Sequence, residues 1–186
     1  KGLAERFVSA DTAVWNIKIN GVGGDLALLQ QQIDEDISQI HKFLIDAGFK
    51  ESNIRNLRVQ VRDKYAGYSD AELKQQQNDG RYVIETGVMI RSDDVGLVDA
   101  TSRRMGELVR RGITVTEDYA GPVYIFNGLN DIKISMIKEA TKNATDAGQQ
   151  FAQDAGARLG KIKSANQGVF SIESRNPTDT WSSNAR

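Results

Sequence analysis

The sequence contains no cysteine, which removes disulfides, thiolate metal sites and cysteine nucleophiles by arithmetic. It contains one histidine, His41, and a single imidazole cannot build a multi-histidine metal centre or an H-E-x-x-H pair. A serine triad could formally use it, but no G-x-S-x-G elbow occurs, and His41 follows Ile40 on the flank of a helical pattern. No apolar run approaches the roughly 18 residues that a membrane span requires. The net charge of −1 gives no global attraction to nucleic acid or an anionic membrane. These absences argue against an enzyme. No catalytic residue, cofactor or metal is expected.

What is present belongs to an ordinary globular protein: 186 residues, 39% of them hydrophobic and 26% charged. Residues 2 to 10 and 12 to 20 alternate as two strands, with Ala13, Trp15, Ile17 and Ile19 on one face of the second. From Asp25 the period changes. Leu26, Leu29, Ile33, Ile37, Ile40 and Leu44 step by three and four as a helical stripe ending at Gly48. A strand follows with Leu57, Val59 and Val61 inward, and residues 81 to 91 form another with Tyr82, Ile84, Val88 and Ile90 on one face. Asp93 or Asp94 can cap a second helix whose stripe is Val98, Thr101, Met105 and Leu108 and whose end is Gly112.

Two further short strands, a long third helix and a last strand over 161–174 complete the pattern. The strand–helix–strand unit thus appears twice, at 12–62 and 81–126. Hairpin-connected strands mixed with helices predict an α+β fold, a mainly antiparallel sheet with three helices on one face. We expect one domain over residues 1–175, carrying a polar insert at 63–80, with a loosely held polar tail at 176–186. The insert reads as a mobile loop or an extended hairpin tip. Because the chain opens at Lys1 on strand-like sequence, a trimmed or processed product is expected, its targeting segment removed.

Three stretches invite a chemical reading. The glycine turn "NGVGGDL" at 20–26 sits between strand and helix, but Leu26 stands where a dinucleotide fingerprint needs its third glycine. Asp25 there would compete with a phosphate for the helix amides. The run Asp34, Glu35, Asp36 cannot converge on one cation, since successive helix positions diverge by about 100°. In the third helix, Ala140, Ala144, Ala147, Gly148, Ala152 and Ala155 recur at three and four residues, with Phe151 as a single large knob. Glycines inside a helix cannot cradle phosphate, so this face reads as a packing surface, either for the chain's own sheet or for another subunit. Gly156 then ends the helix, and Leu159 can fold back over its last turn. On the second helix, Arg110 and Arg111 lie near the C-terminus, where the macrodipole favours cations.

"KGLAERFVSADTAVWNIKI" at the start, "YAGPVYIFNGLNDIKISMIKEATKNA" in the middle and "FAQDAGARLGKIKSANQGVFSI" toward the end together resemble the SIMPL-domain family, in its bacterial periplasmic branch. The resemblance implies an α+β fold, a periplasmic or envelope location and export or anchoring by an upstream segment. It brings no established reaction and no catalytic residues. Some relatives assemble into large rings, and some are associated with envelope or oxidative stress. Relatives usually continue into one further strand, so a sheet edge is expected to stand open to a partner.

The leading expectation is a noncatalytic periplasmic protein that works through self-assembly or scaffolding, as a homo-oligomer and possibly with other envelope proteins. Arg58, Arg62, Tyr65 and Tyr68, at the root of the polar insert, are the expected partner or ligand contacts. The alternative is a small-ligand module, with an anionic or aromatic molecule held near Tyr65, Tyr68, Tyr119 and Tyr124.

Overall fold

Strand β1, Thr12–Gly23, is the spine of a six-stranded antiparallel sheet. The structure, a computed structural model, describes residues 1–69, 72, 80–116 and 121–173. It divides into two compact units, Ala10–Ile125 and Lys1–Ser9 with Phe126–Arg186.

In the first unit β1 pairs with β4, Tyr82–Ser92, from Ala13 opposite Ser92 to Gly23 opposite Tyr82. Strands β2, Ile54–Asn56, and β3, Gln60–Asp63, lie on the far side of β4. Strands β5, Val115–Thr116, and β6, Val123–Ile125, lie on the far side of β1. The period-2 face expected from the sequence is the buried one: Ala13, Trp15, Ile17 and Ile19 of β1 meet Ile84, Val88 and Ile90 of β4 beneath the helices. Each large apolar side chain so buried stabilises the fold by about 1.5–3 kcal/mol.

Helix α1, Leu26–Ala47, begins where Asp25 Oδ1 accepts from the amides of Ala27 (2.8 Å) and Leu28 (3.1 Å). Its buried residues are Leu29, Ile33, Ile40, Phe43 and Leu44. Leu26, expected in the stripe, is partly exposed, because it stands in the first turn ahead of the packed face. The second helix is two pieces, α2, Val95–Ser102, and α3, Gly106–Arg110. Between them the amides of Arg104 and Met105 bond three residues back rather than four, and Ser102 Oγ donates to the Asp99 carbonyl. A hydroxyl that bonds the backbone together with Gly106 weakens the helix locally. Val98, Thr101 and Leu108 nevertheless stay buried.

Helices α1 and α3 end alike. Gly48 and Gly112 have φ of 108° and 86°, and the following amides, of Phe49 and Ile113, bond the carbonyls of Leu44 and Leu108. This is the Schellman arrangement, which needs a left-handed residue. A Cβ at Gly48 would meet nothing nearer than a Leu97 methyl at 4.0 Å, so Gly48→Ala tests the backbone alone. We expect it to lower unfolding stability by about 1–2 kcal/mol, read by urea denaturation; an unchanged midpoint would contradict the left-handed cap.

The strand expected at Leu57, Val59 and Val61 is interrupted. Asn56 opposes Val88 and Gln60 opposes Glu85, so three residues, Leu57, Arg58 and Val59, face two, Thr86 and Gly87. One extra residue makes a β-bulge, which resets the alternation of faces. The Leu57 amide bonds the Gly87 carbonyl and Thr86 Oγ1 donates to the Leu57 carbonyl. Val59 and Val61 are consequently half exposed, not inward.

In the second unit, helix α4, Leu129–Asp154, carries the expected ladder of small residues, of which Ala140, Ala144, Gly148 and Ala152 are the covered members. Phe151, expected as the knob of that face, points away and is 76% exposed. The ladder is a packing surface for the same unit. A Cβ on Gly2 would fall on the Ala140 carbonyl and the Ala144 backbone, and Leu159 methyls lie beside Gly148. Asn143 Nδ2 donates to the Leu3 carbonyl at 2.8 Å, and Arg6 donates to Ser135 Oγ and approaches Glu139. Gly156, φ 66°, ends α4 in the same Schellman manner, with the Ala157 amide on the Ala152 carbonyl.

The strands expected at 2–10 and 161–174 are not formed among the described residues. Gly2, Leu3 and Arg6 lie against α4, and an alternating sequence becomes a strand only where a ladder is there for it to join.

Candidate functional site

The root of the polar insert is a hairpin end closed by an ion pair. Arg81 binds Asp63 through Nε (3.1 Å to both carboxylate oxygens) and Nη2 (2.8 Å), and the Lys64 amide bonds the Arg81 carbonyl. Two parallel donors on one carboxylate fix direction as well as distance. Arg81 also lies 5.0 Å from the Tyr82 ring centroid. The guanidinium hydrogen bond holds the Asp63 carboxyl below its ordinary 3.8.

A group that binds its proton more weakly in the folded than in the unfolded chain contributes stability above its unfolded pKa, and loses it as the pH falls through the folded value. The Asp63 carboxyl and Arg81 Nε–H resonances are therefore expected to titrate together with a midpoint below 3.8, and Asp63→Asn to abolish the Arg81 response. A midpoint at or above the ordinary value would contradict this pair.

Of the expected contact residues, Tyr65 and Tyr68 follow that root as a tilted ring pair 5.4 Å apart, Tyr65 half-buried and Tyr68 46% exposed. Arg62 stands on β3 opposite Val83. The bulge takes Arg58 out of regular strand, so the alternation that would align Arg58 with Arg62 and Lys64 does not carry through. Tyr119 and residues 70, 71 and 73–79 of the insert lie outside the described residues, as does the tail expected at 176–186. Tyr124, on β6, donates to Asp99 Oδ1 at 3.0 Å, on the opposite sheet edge from Tyr65 and Tyr68. Tyr124 therefore does not join Tyr65 and Tyr68.

Two shallow hollows mark the sheet face away from the helices. One, of about 130 Å³, is lined by Gln60, Val61, Arg62, Val83 and Glu85. The other, of about 280 Å³, is lined by Ser52, Asn53, Arg55, Met89, Arg91 and Asp93. Both fall below the roughly 300–1,000 Å³ of small-molecule sites. The larger was not legible in sequence, because Arg55 and Arg91 become neighbours only through the β2–β4 register.

His41 is a tether between elements. Its Nε2 lies 2.6 Å from Asn56 Oδ1, which requires that nitrogen to donate, and Nδ1 lies 3.6 Å from Glu51 Oε1. No serine hydroxyl among the described residues is within hydrogen-bond reach of it. At 20–26, β1 continues through Gly23 and Asp25 occupies the first amides of α1, so no free amide cradle faces outward there. Arg104, in the break before α3, pairs with Glu107, and that contact, aided by Arg110 and Arg111, holds the Glu107 carboxyl below its usual range. Partial burial raises the carboxyl pKa of Asp36, the last residue of the acidic run at 34–36. Among the described residues no His, Asp and Glu side chains cluster in a metal-ligand group, and no helix is long and apolar enough to cross a membrane.

The most unusual surface lies in the unit built on α4. Of its described residues only Ala152 is a buried apolar side chain, while Leu3, Phe7, Ile134, Phe151, Ile162 and Val169 are 69% to 96% exposed. In the other unit the large apolar residues fill a core.

No curated protein matches the chain. The model of one protein family does, the SIMPL family, described as a protein of unknown function (DUF541), and it matches residues 1–185. The α+β sheet, the paired strand–helix–strand units and that match agree: the chain belongs to the SIMPL family.

Proposed function

We propose that this chain is a noncatalytic protein of the periplasm or envelope that acts by self-assembly or scaffolding. The observation that carries the reading is the α4 unit, where Leu3, Phe7, Ile134, Phe151, Ile162 and Val169 are exposed while Ala152 is the one buried apolar side chain among the described residues. Soluble proteins seldom leave such surface uncovered unless another molecule covers it. An envelope location follows the family resemblance, and a role in envelope or oxidative stress is the physiological setting that suits it. The alternative, a ligand module at the root of the insert, draws less support, since the hollow beside Arg62 is only about 130 Å³ and Tyr124 lies on the opposite sheet edge from Tyr65 and Tyr68.

The double variant Ile134→Asp, Phe151→Asp tests the reading, because both side chains are more than three-quarters exposed and should not disturb the fold of one chain. Sedimentation velocity is expected to show an assembled wild type and a variant shifted to monomer, with unchanged circular dichroism. Equal sedimentation of both as one assembled species would sink the assignment of this surface.

A further inference from the structure

Residues 161–173 run "KIKSANQGVFSIE", alternating, outside any helix or strand and without one backbone hydrogen bond to another described residue. Phe170 and Ile172 are half-covered, with Lys133 of α4 placed 5.5 Å from the Phe170 ring, while every other residue of the segment is exposed. One face of the segment thus rests on its own helix. Its backbone edge remains open, and an open alternating edge is a template for a second strand.

We propose that this segment pairs antiparallel with the same segment of a second copy, about a two-fold axis at Gln167. This rests on the self-assembly reading and names its contact. The support is the self-complementarity of the sequence. With Gln167 opposite Gln167, Lys161 faces Glu173 at both ends, Ile162 faces Ile172 twice, and Ala165 faces Val169 twice. Opposite charges and apolar pairs directly across an antiparallel ladder each stabilise it, whereas like charges there oppose it. A slip of one residue sets Lys161 against Ile172 and turns each apolar side chain against the wrong face. A slip that sets Lys163 against Glu173 keeps an ion pair but replaces Ile162 by Ser164 opposite Ile172, so the isoleucine pairs are lost; in either register Phe170 faces a polar residue. The centred register alone supplies the ion pairs and the isoleucine pairs together. It is also isologous, as a two-fold dimer contact must be, and it lays one α4 from each copy against the shared ribbon, whose two strands would be marginal without a covering layer.

The absence of cysteine makes the register directly measurable. In the centred pairing Gln167→Cys meets its own counterpart, whereas Ala165→Cys faces residue 169 and lies about 13 Å along the ladder from its own copy, too far for a disulfide. Under mild oxidation of the full chain, Gln167→Cys is expected to form covalent dimer at least about tenfold faster than Ala165→Cys or Val169→Cys alone. A mixture of the latter two is expected to cross-link as heterodimer at the faster rate. Equal rates for all three single variants, or none for Gln167→Cys, in a chain that sediments as an assembly would overturn this pairing and leave the assembly reading standing. A chain that is monomeric and does not cross-link would overturn both.

Discussion

Gly87→Ala is expected to destabilise the Ala10–Ile125 unit by about 3 kcal/mol, at the upper end of overpacking costs. Gly87 lies opposite Lys18 at the middle of the β1–β4 pair, and across its other edge it faces the bulge at Leu57–Val59. A Cβ at Gly87 would fall on the Ile17 carbonyl oxygen and lie 2.9 Å from the Lys18 Cα. Both obstacles are backbone of the central strand and cannot swing aside. Relief requires β1 and β4 to separate, which would weaken the ladder that the whole sheet shares. Urea denaturation of the variant gives the loss directly. A loss below about 1 kcal/mol would mean that the strands part at little cost and that the close approach is not a constraint.

Phe43→Ala is expected to cost about 3–5 kcal/mol, as large aromatic truncations in a core do. Phe43 is 1% exposed on α1, and the Arg104 guanidinium lies 5.5 Å from its ring centroid. The truncation removes packing against the sheet and also the ring over which Arg104 is placed. Phe43→Leu keeps most of the volume but no aromatic face, so it separates the two terms. It is expected to recover more than half of the loss, since the cation–ring contact contributes about 0.5–1 kcal/mol at a partly exposed site. If the leucine variant is as unstable as the alanine variant, the ring contact rather than the volume dominates.

Periodicity made much of the fold readable. The buried face of β1 and the caps Asp25, Gly48 and Gly112 follow from local rules that tertiary structure did not override. Phe43 lies between Ile40 and Leu44 on the same buried side, but the three-and-four stepping of the apolar stripe passes over it. The bulge could not be read, because one extra residue in a strand leaves no mark in the alternation before it. The break between α2 and α3 had a visible cue, Ser102 followed by Gly106, which the continuing stripe of Val98, Thr101 and Leu108 masked. The strands expected at 2–10 and 161–174 alternate as strands should, yet strand formation needs a partner, and a pattern along one segment does not say where its partner is. The same limit applies to the candidate site. Arg58, Arg62, Tyr65 and Tyr68 are neighbours in sequence, whereas the Asp63–Arg81 pair and the Arg55–Arg91 hollow exist only through pairing with β4.

The central proposal is that the exposed apolar surface of the α4 unit is covered by association with another copy. Light scattering coupled to size-exclusion chromatography, run on the wild-type chain from low to high micromolar concentration, tests that statement most directly. The account predicts a mass that is a fixed multiple of one chain and that falls toward a single chain on dilution; the mass of one chain at every concentration would contradict it.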